Sequence, residues 1–422
     1  MTKRRIALCG ASGRGFDLYA KYISEHEDLA ARNELVGIYD SNPGRARYVA
    51  SQCGNFPVYE TFDEMIHDAK PDLVIVATRD DSHVDYAIRC LEYGVDVLCE
   101  KPMAINAEQV VKLREAEIRT GRRIKQVFNL RYGASMIYLK QLVDSGVLGD
   151  IYNVHFEYML TGNMHNQDGH GASYYHRWNR YMDISGGMLV TKATHHFDCV
   201  NWLIERRPKK VAAFGELRKY GKNGPFRSER CLGCPYADKC EYYWDVTNES
   251  MGPMFHDNEK YDNYYRDACV YAEDIDIYDT LSLIVEYEGG ITMSYSETTA
   301  GMYEGYKLNI NGSKGRIEAQ LFQDGGLDED EKDYTFIRYI DNDGKITKYP
   351  LPKARPGSHD GADGTMLDVL LLGAEPEIPS QVADSTDGAY SVLIGAAGNV
   401  SIKEGRIVDI DELIGKPELL AR

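Results

Sequence analysis

The sequence predicts an α/β chain in two parts: an N-terminal doubly wound parallel sheet, then a C-terminal α+β domain on a mostly antiparallel open sheet. Three observations carry that expectation. Short, continuously apolar runs alternate with helix-spaced segments in the first third of the chain. A glycine-rich turn follows the first of those runs, and after about residue 130 the pattern changes to longer strand-like runs. At 422 residues the chain exceeds one ordinary domain, and the pattern divides it into 1–129 and 130–422, with a Cys- and Tyr-rich insert over about 220–280.

Composition narrows the class. With 43% hydrophobic and 27% charged residues the chain reads as globular rather than disordered. Lys plus Arg number 48 against 66 Asp plus Glu, a formal net charge of −18, which argues against nucleic acid as a partner because backbone phosphates need a basic face. No apolar run approaches the roughly 20 residues of a membrane span. The stretch Ile6–Cys9 is shorter than the ~7–15 residues of a signal-peptide core. A cytoplasmic protein away from membranes is the expectation. Nine cysteines, five of them (Cys9, Cys53, Cys90, Cys99, Cys199) scattered among apolar neighbours, read as small core residues rather than a disulfide framework.

Arg5–Cys9 is a buried strand that stops at Gly10-Ala11-Ser12-Gly13-Arg14-Gly15, and Phe16–Ile23 follows with helical spacing. Strand, glycine turn and helix N-terminus in that order let the backbone approach a pyrophosphate while free N–H groups face the anion. Leu35–Tyr39 is a second strand ending in Asp40, a carboxylate placed to accept both ribose hydroxyls of an adenosine and to repel a 2′-phosphate. NAD is therefore the expected cofactor, with Arg45 and Arg47 leaving NADP open. Ser12 stands where the second glycine of the fingerprint would be. Leu73–Thr78, Val95–Cys99 and Ile124–Phe128 continue the sheet. Thr78, His83, Glu100, Lys101 and Asn129 fall at the carboxyl ends of these strands, where ligands of such sheets bind.

The order G-A-S-G-R-G, Asp40, T-R-D-D-S-H with His83, V-L-C-E-K-P-M-A and N-L-R-Y resembles the Gfo/Idh/MocA family of NAD(P)-dependent sugar and polyol oxidoreductases, whose dinucleotide half is a Rossmann fold. E-K-P is the most specific of these signatures. The likeness continues through Gly146–Ile151, S-G-G-M-L and Asn311–Gly315, leaving the 220–280 insert as the main exception. The resemblance implies that Lys101 contacts the substrate hydroxyl near the nicotinamide and that the Lys101–Pro102 bond is cis.

Beyond residue 130, strand-like runs at 151–160, 211–216, 281–287, 291–296, 308–310 and 316–319 suggest the open sheet. A helix-like segment spans Gly187 to Leu203, and a late helix spans Asp384 to Lys403. If the first is continuous, Thr191 and His195 share one face and Lys192 and His196 a neighbouring one. His195 matches the family histidine and is the candidate general acid/base, its ordinary pKa lying near neutrality. The family usually carries Asp four residues earlier; here that position is Thr191, with Lys192 beside it as a candidate second cation in the pocket.

Arg177, Trp178 and Arg180 form a candidate substrate loop, since arginine forks onto carboxylate, sulfate or phosphate oxygens and an aromatic ring offers an apolar face to a sugar. Thr191 and His196 complete the candidate substrate set. Asp363 reads as a helix N-cap, with His359 near enough to reach the cleft. In the insert, Cys231, Cys234 and Cys240 have spacings that would suit zinc or an iron–sulfur cluster, with Cys269 or His256 as a fourth ligand, against the alternative of reduced thiols or a local crosslink. The acidic stretch Asp328–Glu331 reads as a solvated loop.

These readings converge on an enzyme that moves a hydride between nicotinamide and a secondary hydroxyl of a small sugar, polyol or sugar derivative. Two alternatives stand beside it: redox-neutral glycoside cleavage through transient oxidation, elimination and hydride return, distinguished by aglycone release without net NADH, and a dinucleotide-binding regulatory protein without turnover. An open sheet face favours a homo-oligomer, dimer or tetramer.

Overall fold

A computed structural model describes residues 2–162, 170–324, 335–356 and 359–421. The acidic stretch Asp328–Glu331 lies outside the described residues. Strands β1 (Arg4–Cys9), β2 (Asn33–Tyr39), β3 (Leu73–Val76), β4 (Asp96–Cys99) and β5 (Lys125–Gln126) form the first parallel sheet. Ile6–Cys9, Leu73–Val76 and Val97–Cys99 are buried, as expected where helices cover both faces, which explains the unbroken apolar runs. β5 is shorter than the sequence suggests, since the chain turns at Phe128 into the helical turn Asn129–Tyr132.

The second sheet contains β6 (Ile151–Thr161), β7 (Pro208–Glu216), β8 (Thr280–Tyr287), β9 (Thr292–Gly301), β10 (Glu304–Gly312), β11 (Gly315–Asp324), β12 (Phe336–Asp341) and β13 (Ile346–Tyr349). The chain then contributes β14 (Ala383–Asp384) to the first sheet and β15 (Val408–Asp409) to the second. The strand orders are β14-β5-β4-β3-β1-β2 and β13-β12-β11-β10-β6-β9-β8-β7-β15. Neighbours in the second sheet are antiparallel except β6 and β9, which run parallel at its centre. Residues on β8 and β9 alternate between core and solvent, so one face of this sheet is packed and the other left open.

Two features fasten the halves together and aim the site. Arg131, in the turn after β5, forks onto Asp198 at 2.8 and 2.6 Å with both side chains almost fully buried. Removing one partner of such a pair costs about 3–5 kcal/mol. The long helix Ser385–Glu404 starts on an Asp384 capping box and ends at Gly405 in the left-handed conformation. Its small residues allow close approach: a Cβ at Gly395 would run into the Leu189 carbonyl. Asn399 Nδ2 donates to the Gly186 carbonyl at 2.7 Å, so this helix holds the segment carrying Thr191 and Lys192. Among the described residues no helix is long and apolar enough to cross a membrane.

Candidate functional site

The carboxyl ends of β1, β3 and β4 open into a cleft of about 580 Å³ whose opposite wall comes from the second half of the chain. At its floor the glycine turn has the form the sequence requires. Gly10 has φ +111°, and a Cβ there would meet the Ala77 carbonyl, while one at Gly15 would meet the Gly10 carbonyl. Ser12 turns its hydroxyl inward, donating to the Ala77 carbonyl at 2.7 Å and accepting the Gly15 N–H at 3.0 Å. This explains a serine in place of the second glycine: the side chain stitches the turn to β3 and leaves the backbone facing the cleft. Ser12, Gly13 and Arg14 line the cleft.

Asp40 does not line the cleft. One carboxylate oxygen accepts the Ala11 N–H at 2.7 Å, and the other accepts the Asn42 N–H at 2.7 Å and lies 3.3 Å from Arg45. Arg45 pairs further with Asp262 at 2.7 Å, and Arg47 donates to the Tyr261 hydroxyl at 2.7 Å. Asn42 Nδ2 donates to the Asn258 carbonyl at 2.9 Å. Part of the insert thus lies along the β2 edge, where an adenosine would bind. The residues still fit a dinucleotide, because the glycine cradle, the helix starting at Arg14 and the Asp40 carboxylate are all in the expected places.

The other cofactor candidates form one network. Glu100 accepts from the Tyr19 hydroxyl at 2.8 Å, from Arg14 at 3.2 Å and from the Lys101 N–H at 3.1 Å. Arg14 also reaches Asp363, which takes bonds from Asn129 Nδ2 at 2.8 Å and from His359 Nδ1 at 3.0 Å. Asp363 is therefore not a helix N-cap. Gly361 precedes the helix Ala362–Leu367, and Asp363 faces the cleft. Burial alone would raise its pKa, but the His359 hydrogen bond and the Arg14 guanidinium hold it well below the usual carboxylate range. His83 sits between the Pro102 and Thr78 carbonyls at 2.8 and 3.1 Å, and Thr78 Oγ1 lies 2.8 Å from Ser82 Oγ. The Lys101–Pro102 peptide is cis.

The segment read as one helix from Gly187 is broken. Met188–Thr191 and Thr194–Ile204 are separate helices, and the His195 N–H bonds to the Lys192 carbonyl rather than to that of Thr191. The break frees the Thr191 carbonyl, which accepts Lys101 Nζ at 2.8 Å. The Thr191 hydroxyl donates to Asp80 Oδ2 at 2.7 Å and accepts from Asn179 Nδ2 at 3.2 Å. A carboxylate is present near Lys101 after all, supplied by Asp80 from the turn after β3. Burial raises Asp80 to about 6, against the pull of His83 and Lys101. Desolvation in the cleft, then Lys192, lower Lys101 to about 8, opposed by Asp80 and Glu100.

His195 lines the cleft with its Nδ1 buried and unpartnered. Burial, Lys101 and Lys192 push it well below its ordinary pKa, so the ring is neutral at pH 7. Lys192 Nζ is 4.0 Å from Glu304 and 5.0 Å from the centre of the Tyr158 ring. Glu304 also accepts from the Tyr158 hydroxyl at 2.6 Å and contacts His170 Nδ1 at 3.0 Å. Burial would raise Glu304, but His170 and Lys192 hold it well below the usual range.

Arg177 and Trp178 line the cleft, whereas Arg180 turns away to bond Asp274 at 2.6 Å. His196 is also outside it: Nδ1 pairs with the Tyr295 hydroxyl at 2.8 Å, and the ring stacks on Phe156 in the core. Sequence reasoning missed Asp80, Asn179, Glu304, His170, Tyr174 and Arg266. Only Asp80 had a local signal, within T-R-D-D-S-H. Cys231, Cys234, Cys240 and Cys269 line one small cavity with His176. Both His176 ring nitrogens face carbonyls, of Ala268 at 2.7 Å and Tyr242 at 3.0 Å, and His256 instead contacts Glu259. All four thiols are free, and among the described residues no group of three His, Cys, Asp or Glu side chains is arranged to hold a metal.

Comparison with known proteins places this geometry. The YteT protein of Bacillus subtilis (strain 168), which carries an oxidoreductase name, is 33% identical over 97% of this chain and 98% of its own length. Inositol 2-dehydrogenase 2 of Saccharopolyspora erythraea is 30% identical over 53% of this chain and 60% of its own. Among solved structures, the WlbA dehydrogenase of Bordetella pertussis, in complex with NADH and UDP-GlcNAcA, superposes with a TM-score of 0.65 at 20% identity, covering 97% of this chain and 99% of that one. An oxidoreductase domain protein of Kribbella flavida superposes with a TM-score of 0.68 at 17% identity, covering 97% of this chain and 100% of that one. Residues 4–128 match the model of the oxidoreductase family with NAD-binding Rossmann fold, and residues 140–410 match that of its C-terminal alpha/beta domain. The chain belongs to the Gfo/Idh/MocA oxidoreductase family and is an NAD-dependent oxidoreductase.

Proposed function

We propose that this enzyme oxidises a secondary hydroxyl of a sugar, polyol or sugar derivative, or reduces the corresponding ketone, with Lys101 and His195 as its catalytic residues. One observation carries the reading: a lysine cation and a neutral histidine, from opposite halves of the chain, face the same cleft beyond the strand ends. NAD, when bound, accepts or returns the hydride. Ser12, Gly13, Arg14, Thr78 and His83 would hold it, with Asp40 toward the ribose. Arg45 and Arg47 are committed to protein partners, which favours NAD over NADP.

The chain's own groups handle the proton and the charge. Neutral His195 takes the hydroxyl proton, and the Lys101 ammonium, held by the Thr191 carbonyl, stabilises the oxyanion as it develops. Lys192 adds a second positive charge behind it. The broken helix positions both groups, since an unbroken one would leave Lys101 without its carbonyl. Phe214 and Ile284, 82% and 56% exposed on adjacent strands of the open face, support a homo-oligomer.

A second reading, redox-neutral cleavage of a glycoside, is favoured by the insert along the β2 edge, because a cofactor covered there would be retained between turnovers. The deciding experiment follows absorbance at the NADH band with NAD and a panel of sugars, polyols, uronic acids and glycosides. We expect a rise with one substrate class and a loss of about 10³-fold or more in kcat in Lys101→Ala, with NADH still bound. Undiminished activity in that variant defeats the assignment, and aglycone release without net NADH selects the second reading.

A further inference from the structure

Apart from Lys101, which the Thr191 carbonyl holds for the reaction, one cation of the cleft lacks a carboxylate partner among the described residues. Arg14 is paired with Glu100 and Asp363, Arg266 with Glu249 at 3.1 Å, and Lys192 with Glu304. Arg177 has no carboxylate among the described residues. Its Nε donates to the Ser173 carbonyl at 2.9 Å and one terminal nitrogen to Ser173 Oγ at 2.6 Å, and its guanidinium carbon lies 5.4 Å from the centre of the Tyr174 ring. These bonds fix the guanidinium at the end of the helix His170–His176, and among the described residues its other terminal nitrogen has no hydrogen-bond partner, so that edge of the guanidinium can meet an anionic oxygen. Leaving such a group unmatched in a partly desolvated cleft is costly, more so with Arg266 nearby pushing its pKa down. Tyr174 and Trp178 beside it line the same cleft and present ring faces.

We infer that Arg177 receives a carboxylate on the substrate, so that the sugar this enzyme takes is a uronic acid or a close carboxylate-bearing relative. The inference rests on the sugar reading above and narrows it. Arg177 lines the cleft together with His170, Tyr174 and Lys192 of the second half of the chain. A carboxylate held there would anchor the sugar in the same cleft that Lys101 and His195 face. The same edge could meet an anionic oxygen of the cofactor's pyrophosphate, and the test separates the two sources.

The test is calorimetric titration of the NADH-loaded protein with D-glucuronate and D-galacturonate against methyl glucoside and methyl galactoside, in the parent, Arg177→Gln and Arg177→Lys. NADH affinity is measured separately by its fluorescence. We expect at least one uronate to bind about tenfold or more tighter than its neutral counterpart. Arg177→Gln should erase that gap, Arg177→Lys should restore part of it, and NADH affinity should stay within about twofold. Equal affinity for acid and neutral sugar, or no uronate binding, overturns the inference. So does an Arg177→Gln variant that keeps the gap but loses tenfold in NADH affinity, which would give the guanidinium to the pyrophosphate. Turnover of the same sugars is read independently. A uronate gap without oxidation counts against the dehydrogenase reading alone, and oxidation of neutral sugars without a gap counts against this inference alone.

Discussion

The two walls of the cleft treat charge in opposite ways. On the dinucleotide wall and along the neighbouring β2 edge the charges are matched: in the cleft Arg14 lies between Glu100 and Asp363, and beside it Asp40 accepts two backbone N–H groups while Arg45 is shared by Asp40 and Asp262. On the substrate wall Lys192 and Arg177 meet Lys101, which projects toward them from the dinucleotide half, and desolvation and neighbouring cations lower both lysines in pKa. The difference teaches where each wall does its work. A neutralised wall needs only shape to seat a ligand that brings its own charge, whereas an under-compensated wall is electrostatically complementary to negative charge that arrives or develops during reaction.

The comparison breaks most severely if the dinucleotide wall loses its shape. Gly10→Ala forces a Cβ against the Ala77 carbonyl at a positive φ, and we expect about 2–4 kcal/mol of destabilisation in urea unfolding together with loss of NADH fluorescence enhancement. Parental stability with intact NADH binding would show that the turn is not the rigid element.

The next effect sharpens the comparison on the substrate wall. Lys101 loses its proton near pH 8, so kcat/KM for oxidation should fall above that pH as the cation is lost. Lys192 lowers Lys101 and Asp80 raises it. Lys192→Met should therefore move this alkaline limb up and Asp80→Asn should move it down, each by about half a unit to one unit. A pH–rate profile in which both variants shift the same way would contradict the assignment of the limb to Lys101. The smallest effect belongs to the neutralised wall: Arg45→Ala should change the ratio of NAD to NADP affinity by less than about threefold, because the arginine is already paired. A larger change would make Arg45 a discriminator of the cofactor.

Much of the dinucleotide wall was legible because its residues are consecutive in sequence. Gly10 to Gly15, Glu100-Lys101 and Asn129 stand at strand ends, and alternation alone locates strand ends. The substrate wall was legible only where a motif carried it, as for His195. Glu304, His170 and Arg266 converge from a strand, a helix and the insert, and no spacing along the chain reports that meeting. Asp363 was misread because a carboxylate beside a helix start looks the same in sequence whether it caps the helix or faces a cleft. Arg180 and His196 were misplaced for a related reason: neighbours of a functional residue share its sequence context but point elsewhere. The broken helix was missed because the segment from Met188 to Ile204 is buried on nearly every side, polar residues included, so no change of exposed face marks the break.

The bond from Lys101 to the Thr191 carbonyl joins the two halves of the chain, as does that from Thr191 to Asp80. Neither half carries a self-sufficient fraction of the centre, so the enzyme is not modular at this seam. A dinucleotide half grafted onto a foreign partner would bring Lys101 without the carbonyl that aims it. A foreign dinucleotide half would deprive Thr191 of its acceptor. The natural unit for recombination or redesign is therefore the whole chain together with its helix break.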